Sequence, residues 1–355
     1  MIKLENVTKE WINKVSGENR NTDKILIEKV IRALLLLEGL VKQNLSFVFK
    51  GGTALMLHLD SKKRLSIDID IIIANAPENL ENILAAVAKE QGFIRHELQH
   101  RNTLSKIKKE HYKFFYTPLH KSQHDEENVL LDILFEEVNY QKVIKIPVKS
   151  LFVPTDENPI LVDVPCLEDI LGDKLTAFAP NTTGIPYFKK DDSMSMEIMK
   201  QLYDIGNLLE VVNDAEIIKS TFLQFAKTEL TYRNQEGLSE IDVLEDIYQT
   251  SLSIVTRGAD GKGDFKELQL GVQRITRFIF SESYHLEKAI THASKAAYLS
   301  SLIRHNAKVV ERYENSMQLK DWVISEPMNT KLNKLKKSNP EAFFYWYKIF
   351  ELAKK

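Results

Sequence analysis

Between Ser66 and Ile73 the chain runs SIDIDIII. This density of β-branched residues favours an extended strand. Its two acids, Asp68 and Asp70, stand two residues apart, so a strand turns both to one face, with Cα atoms ~6.6 Å apart at ~3.3 Å per residue. Two carboxylates among Ile67, Ile69, Ile71, Ile72 and Ile73 are costly to bury without a compensating cation. A fold that accepts this segment must leave that face wet or bring a hard cation such as Mg²⁺ to it.

The residues just upstream favour the cation. Residues 45–49 read as a short strand that runs into Gly51-Gly52, and Thr53 opens a predicted helix over 53–59. Two glycines allow a sharp turn and a close backbone approach to a ligand. The first N–H groups of a helix form an anion site, for which phosphate is the natural occupant. Ser66 shares the strand face of the two acids and Arg64 lies just before it; each can hold phosphate oxygens, Arg64 through its planar fork. Asp132 interrupts the apolar run VLLDILF over 129–135. It is either a surface-facing strand residue or a third carboxylate on a neighbouring strand. Asp68, Asp70 and Asp132 together would be metal ligands of a kind suited to two-metal nucleotidyl transfer.

Periodicity predicts a helix over 23–43 with Asp23 as its N-cap, and another over 77–91. Strands are expected over 93–98, 106–116 and 129–136. A further strand over 142–149 would sit at an edge, because Pro147 removes a ladder donor. Residues 155–165, rich in Pro, Asp and Asn, read as a linker. Beyond Pro165 the character changes: helix-like patterns cover 167–178, 194–212, 215–236, 239–256, 262–280 and 286–313. The aromatic cluster FFYWY, 343–347, reads as a cap on a hydrophobic core. The expected fold class is α+β: a mixed sheet with flanking helices over residues 1–160, then an all-helical domain over 161–355.

Composition narrows the function. Only 13 Gly and 10 Pro in 355 residues exclude collagen-like and low-complexity architectures. Cys166 is the single cysteine, so disulfide frameworks and cysteine-based zinc clusters are excluded and a reducing, cytoplasmic compartment is expected. The N-terminus MIKLENVTKEW carries no apolar signal core, and the most apolar stretch, 25–41, holds Glu28, Lys29, Arg32 and Glu38, too many charges to span a bilayer. A soluble protein without a membrane role follows. Zinc is not expected at the nine histidines; His58 reads as a packed or surface residue, and His111, His120 and His124 read as solvated. From Arg304 onward 11 Lys/Arg face 6 Asp/Glu, a balance of +5, which leaves −7 on the rest. A basic tail on an acidic body points to an anionic partner.

The run KGGTAL followed by R-x-S-x-D-I-D resembles the nucleotidyltransferases of the DNA polymerase β type, whose hallmark is Gly-[Gly/Ser]-[Ser/Thr], a spacer and Asp-x-Asp/Glu. Here the spacer between Thr53 and Asp68 is 14 residues. The fuller pattern is similar to the AbiEii/AbiGii toxin family, which includes the MenT toxins, and the similarity extends over residues 47–209. It implies a nucleotidyltransferase that uses Mg²⁺ or Mn²⁺ to move NMP from an NTP to an acceptor, with RNA and tRNA 3′ ends as the specific suggestion. It also implies a toxin of a toxin–antitoxin or abortive-infection system, neutralised by a separate antitoxin. On this resemblance, Gly51, Gly52, Thr53, Arg64 and Ser66 bind the nucleotide, and Lys174 in CLEDILGDKLTAF contacts it. Lys189 or Lys190 supplies the family's basic residue. Asp204 in QLYDIGNLLE positions Lys174 or contacts the acceptor, and the helical domain completes the site. Two other readings use the same residues: NMP transfer to a protein Ser, Thr or Tyr, and a nucleotide-binding module without turnover.

Overall fold

The apolar stretch over 25–41 becomes the buried helix around which the first part of the chain is built. The computed structural model describes residues 1–60, 62–99 and 108–354. They divide into two compact units, Met1–Cys166 with Arg277–Ser283, and Leu167–Thr276 with Tyr284–Lys355.

The first unit opens with α1 (Lys9–Glu18) and α2 (Lys24–Lys42). Thr8 caps α1 by accepting from the Trp11 N–H, and Asp23 caps α2 by accepting from Ile25 and Leu26, as its sequence position predicts. Most of α2 is buried, including Glu28 and Glu38. Both acids are satisfied: Glu28 accepts the Leu119 N–H at 3.0 Å, and Glu38 accepts from Ile2 N–H and pairs with Lys42. Burial pushes the Glu28 carboxyl above its ordinary value.

The chain then alternates β1 (Val48–Lys50), α3 (Gly51–His58), β2 (Ile69–Ile72) and α4 (Leu80–Glu90), followed by β3 (Arg95–Leu98), β4 (Lys108–Tyr116) and β5 (Glu127–Phe135). The strand expected over 106–116 begins, at 106 and 107, outside the described residues. The five strands form one mixed sheet in the order β1-β2-β5-β4-β3, with β2 and β5 parallel and the other pairs antiparallel. Ile69, Ile71, Leu131, Ile133 and Phe114 join the hydrophobic core with the leucines of α2. A hairpin-like pair, β6 (Val143–Pro147) and β7 (Leu161–Pro165), completes the unit. The edge character of β6 matches its sequence, with Pro147 as its last residue. The linker expected over 155–165 is corrected: Leu161–Pro165 is a strand, because its backbone finds partners along β6.

The strand expected over 66–73 is shorter, starting at Ile69. The backbone before it is engaged elsewhere: Leu65 N–H bonds the Phe278 carbonyl, and the Asp68 carbonyl accepts the Thr53 hydroxyl at 2.6 Å. Phe278 belongs to the returning segment Arg277–Ser283, which explains why the helix expected over 262–280 stops early.

The second unit is helical, as expected: α5 (Leu167–Ala177), the small hairpin β8 (Phe188–Lys189) and β9 (Asp192–Ser193), then α6 (Ser195–Leu208), α7 (Ala215–Tyr232), α8 (Glu240–Val255), α9 (Phe265–Ile275), α10 (Leu286–Arg304), α11 (Leu335–Ser338) and α12 (Pro340–Leu352). Its central helix, α10, is rich in Ala and Ser and buried along most of its length. Phe343, Phe344, Tyr345 and Trp346 of α12 are buried, and Trp346 Nε1 donates to Ser294 Oγ at 2.9 Å, so the aromatic cluster packs as a core cap. The helix expected over 286–313 ends at Arg304. Asn306 has φ +52°, and Asn306 and Ala307 N–H bond Ile303 and Leu302 carbonyls, a left-handed helix stop that Asn tolerates. Among the described residues, no helix is long and apolar enough to cross a membrane.

Candidate active site

The turn between β1 and α3 is built as the glycines predict. Gly51 has φ +80°, a conformation that L-residues with a Cβ rarely adopt. A Cβ at Gly51 would also overlap the Asp70 carboxylate, whose Cγ lies 2.9 Å from that position. At Gly52 a Cβ would lie 2.6 Å from Ser66 Oγ and 3.0 Å from an Arg64 guanidinium nitrogen. The turn thus brings Gly51, Gly52, Arg64, Ser66 and Asp70 within touching distance. Helix α3 starts at Gly51, two residues before the expected Thr53, so the first-turn N–H groups belong to the glycine pair itself. Thr53 is fully buried, and its hydroxyl bond to the Asp68 carbonyl fixes the segment that enters β2. Arg64 is buried and bonds the Leu65 carbonyl at 2.9 Å, unlike the exposed Lys62 and Lys63 beside it.

Register decides the rest. Asp70 and Asp132 are direct partners across the parallel β2–β5 pair, so their side chains rise on one face of adjacent strands ~4.8 Å apart. Lys50 is the β1 partner of Asp70, and His111 is the β4 partner of Asp132. A single row therefore crosses four strands: Lys50, Asp70, Asp132, His111. It lines a cleft of about 170 Å³ together with Lys109. His111 Nδ1 is 2.7 Å from Asp132 Oδ1. Its placement corrects the expectation of a solvated histidine: the imidazole is only 13% exposed. Among the other histidines, His58 Nε2 bonds the Pro165 carbonyl, His120 meets Asn13 and His124 is exposed.

Asp68 precedes β2, so strand alternation does not place it beside Asp70. Among the described residues, no set of three or more His, Cys, Asp or Glu side chains is gathered as a ready metal cage. The Asp70–Asp132 pair still fits Mg²⁺, which commonly takes one or two carboxylates and fills its octahedron with water and substrate phosphate oxygens. Two adjacent carboxylates repel, and a divalent ion between them removes that cost.

In the second unit, Lys174 Nζ is 2.7 Å from Asp204 Oδ2 and donates to Gln201 Oε1 at 3.2 Å. This ties α5 to α6, with side chains only 7% and 3% exposed. Lys189 and Lys190 lie on the exposed β8–β9 hairpin, and Lys190 has φ +55° at its turn.

A glycine turn that opens a helix beside paired strand carboxylates is the apparatus of an enzyme that handles phosphate. Residues 35–277, well over half of the chain, match the family described as nucleotidyl transferase AbiEii toxin, type IV TA system. The chain belongs to this family: it is a nucleotidyltransferase toxin of a type IV toxin–antitoxin system, with an NTP as substrate and an antitoxin as partner. Among solved structures, it is similar to JHP933 from Helicobacter pylori, 16% identical over 80% of this chain and 94% of that one, with a TM-score of 0.43. A Helicobacter pylori protein with a provisional nucleotidyltransferase description is also 16% identical, over 79% and 94% of the two chains, with a TM-score of 0.42. No protein of curated function matches the sequence.

Proposed function

We propose that this protein transfers NMP from an NTP to an RNA acceptor, with a tRNA 3′ end as the specific target, at the sheet face that carries Asp70 and Asp132. The observation that carries this reading is their pairing in register beside the Gly51–Gly52 turn. The first-turn N–H groups of α3, with Arg64 and Ser66, hold the triphosphate. Asp70 and Asp132, with Asp68, hold Mg²⁺ or Mn²⁺. When bound, the ion neutralises charge on the phosphates and lowers the pKa of the attacking hydroxyl. The acceptor oxygen bonds to the α-phosphorus, the bond to the bridging oxygen of the leaving pyrophosphate breaks, and the hydroxyl proton passes to the Asp132 carboxylate. Lys174, held by Asp204, keeps the nucleotide role given by the family resemblance, and Lys189 or Lys190 supplies a further cation. The two domains proposed are 1–160 for the carboxylates and the glycine turn, and 161–355 for the helical portion.

The test is a transfer assay with each α-labelled NTP, Mg²⁺ and total RNA. Label entering RNA is expected for at least one nucleotide. No transfer with any of the four, from protein shown to be folded, overturns the proposal. Label in protein bands and not in RNA moves the acceptor to protein hydroxyls.

A further inference from the structure

Strand β4 has two unlike faces. Tyr112, Phe114 and Tyr116 point into the core, whereas Lys109, His111 and Lys113 alternate with them on the other face. Their β5 partners are Leu134, Asp132 and Leu130, so this face of β4 continues the one that bears the carboxylates. Successive members of the row stand ~6.8 Å apart along the strand. Lys109 and His111 line the cleft that holds Asp70 and Asp132. Among the described residues, neither Lys109 nor Lys113 has a carboxylate within ion-pair distance, although Glu97 is the β3 partner of Lys113; that carboxylate is taken by Arg95 at 2.9 Å. Lys108, by contrast, pairs with Glu110 and covers the Phe135 ring.

In-line displacement fixes which side of the carboxylates each substrate approaches. The pyrophosphate must leave opposite the attacking oxygen. The Gly51–Arg64 turn lies on one side of Asp70, and His111 with Lys109 lies beyond Asp132 on the other. With the triphosphate on the glycine side, the acceptor arrives over β4. We propose that this face of β4 is a track for the phosphodiester backbone of the RNA acceptor. Lys109 and Lys113 are its cationic contacts, and His111 is a positioning residue that holds the Asp132 carboxylate where the 3′ end arrives. Two cations ~13.6 Å apart on one strand face suit the repeating anion of a nucleic-acid backbone and read no base edges. A protein acceptor that offers one hydroxyl has no use for them. The inference rests on the reading of this site as an RNA-directed nucleotidyltransferase.

The test uses the full chain, bulk tRNA as probe and the double variant Lys109→Ala/Lys113→Ala. Lys109 is exposed and Lys113 is half-buried on the face away from the core, so the melting curve should stay close to wild type. Binding is measured across a salt series. Loss of two phosphate contacts should flatten the slope of log affinity against log salt by about 1.4, at ~0.7 per single-strand contact. The KM for RNA rises while the KM for NTP stays put, and Lys109→Arg/Lys113→Arg restores both. An unchanged slope, or a parallel rise in the KM for NTP, overturns the track, as does wild-type protein that binds no tRNA. If tRNA binds with the lysine-dependent slope yet receives no NMP, the track stands and the RNA-acceptor reading falls.

Discussion

The Lys174–Asp204 pair allows a structural role to be separated from a chemical one. The two side chains are 7% and 3% exposed and 2.7 Å apart, so neither charge has water to fall back on. Removing either partner breaks a buried ion pair, at a cost of about 3–5 kcal/mol. Replacing both with apolar groups of similar volume is neutral, or stabilising by about 1–4 kcal/mol. Lys174→Met and Asp204→Leu should each therefore lower the melting temperature by about 6–20 °C, at ~2–4 °C per kcal/mol for a unit of this size. The double variant should melt at or above the wild-type temperature. Trp322 and the fully buried Trp346 lie in the helical unit and Trp11 in the first, so tryptophan emission in a urea titration, read in a Trp11→Phe background, reports on the helical unit. NMP transfer and growth inhibition are then measured on the double variant, in which lost folding cannot account for lost activity. Stable but inactive protein shows that the pair serves the nucleotide. Stable protein with wild-type transfer removes Lys174 and Asp204 from the chemistry. Single variants within about 1 kcal/mol of wild type would refute the burial reasoning itself.

Four further outcomes are expected. Asp70→Asn abolishes NMP transfer and toxicity while the melting curve changes little, since the site gains by losing one of two adjacent like charges; toxicity equal to wild type sinks the site assignment. Gly51→Ala costs about 1–2 kcal/mol from its left-handed backbone. Its methyl group also displaces the Asp70 carboxylate, so transfer falls on the order of 10²-fold, and a variant with full activity contradicts the close packing seen here. His111→Ala lowers transfer roughly 10- to 100-fold by freeing the Asp132 carboxylate, and His111→Asn, whose amide can donate from the position of Nδ1, recovers most of it; equal loss in both variants refutes a positioning role. Glu28 has a carboxyl raised above its usual 4.5 by burial, so the fold binds its proton more tightly than the unfolded chain does, and wild-type stability declines as pH rises from 4.5 through the folded value. Glu28→Gln lacks that decline, so urea titrations should show its stability rising relative to wild type across the same window; a constant difference refutes the assignment.

What the sequence reveals of this fold is what depends on neighbours along the chain. Asp23 caps α2, Gly51 makes the turn and Asp70 faces away from Ile69 and Ile71, and each is set within a few residues of itself. The features that escape are made across the chain. His111 looks solvated because Lys108, Lys109 and Glu110 surround it, yet the alternation of Tyr112, Phe114 and Tyr116 already puts it on the outer face of β4. What alternation cannot supply is register, and only the pairing of His111 with Asp132, 21 residues later, turns a polar strand face into part of a site. The first residues of the strand expected over 66–73 stay outside β2 for the opposite reason. Their strand propensity is real, but the Asp68 carbonyl is taken by Thr53 and the Leu65 N–H just upstream by Phe278, groups that a ladder would use. Leu161–Pro165 shows the same rule in reverse, as a turn-rich stretch becomes a strand because β6 offers it partners. Propensity states what a backbone prefers, and hydrogen-bond partners decide whether it is granted. A site assembled from four strands is thus legible residue by residue, and its chemistry is legible only once the row Lys50, Asp70, Asp132, His111 is aligned.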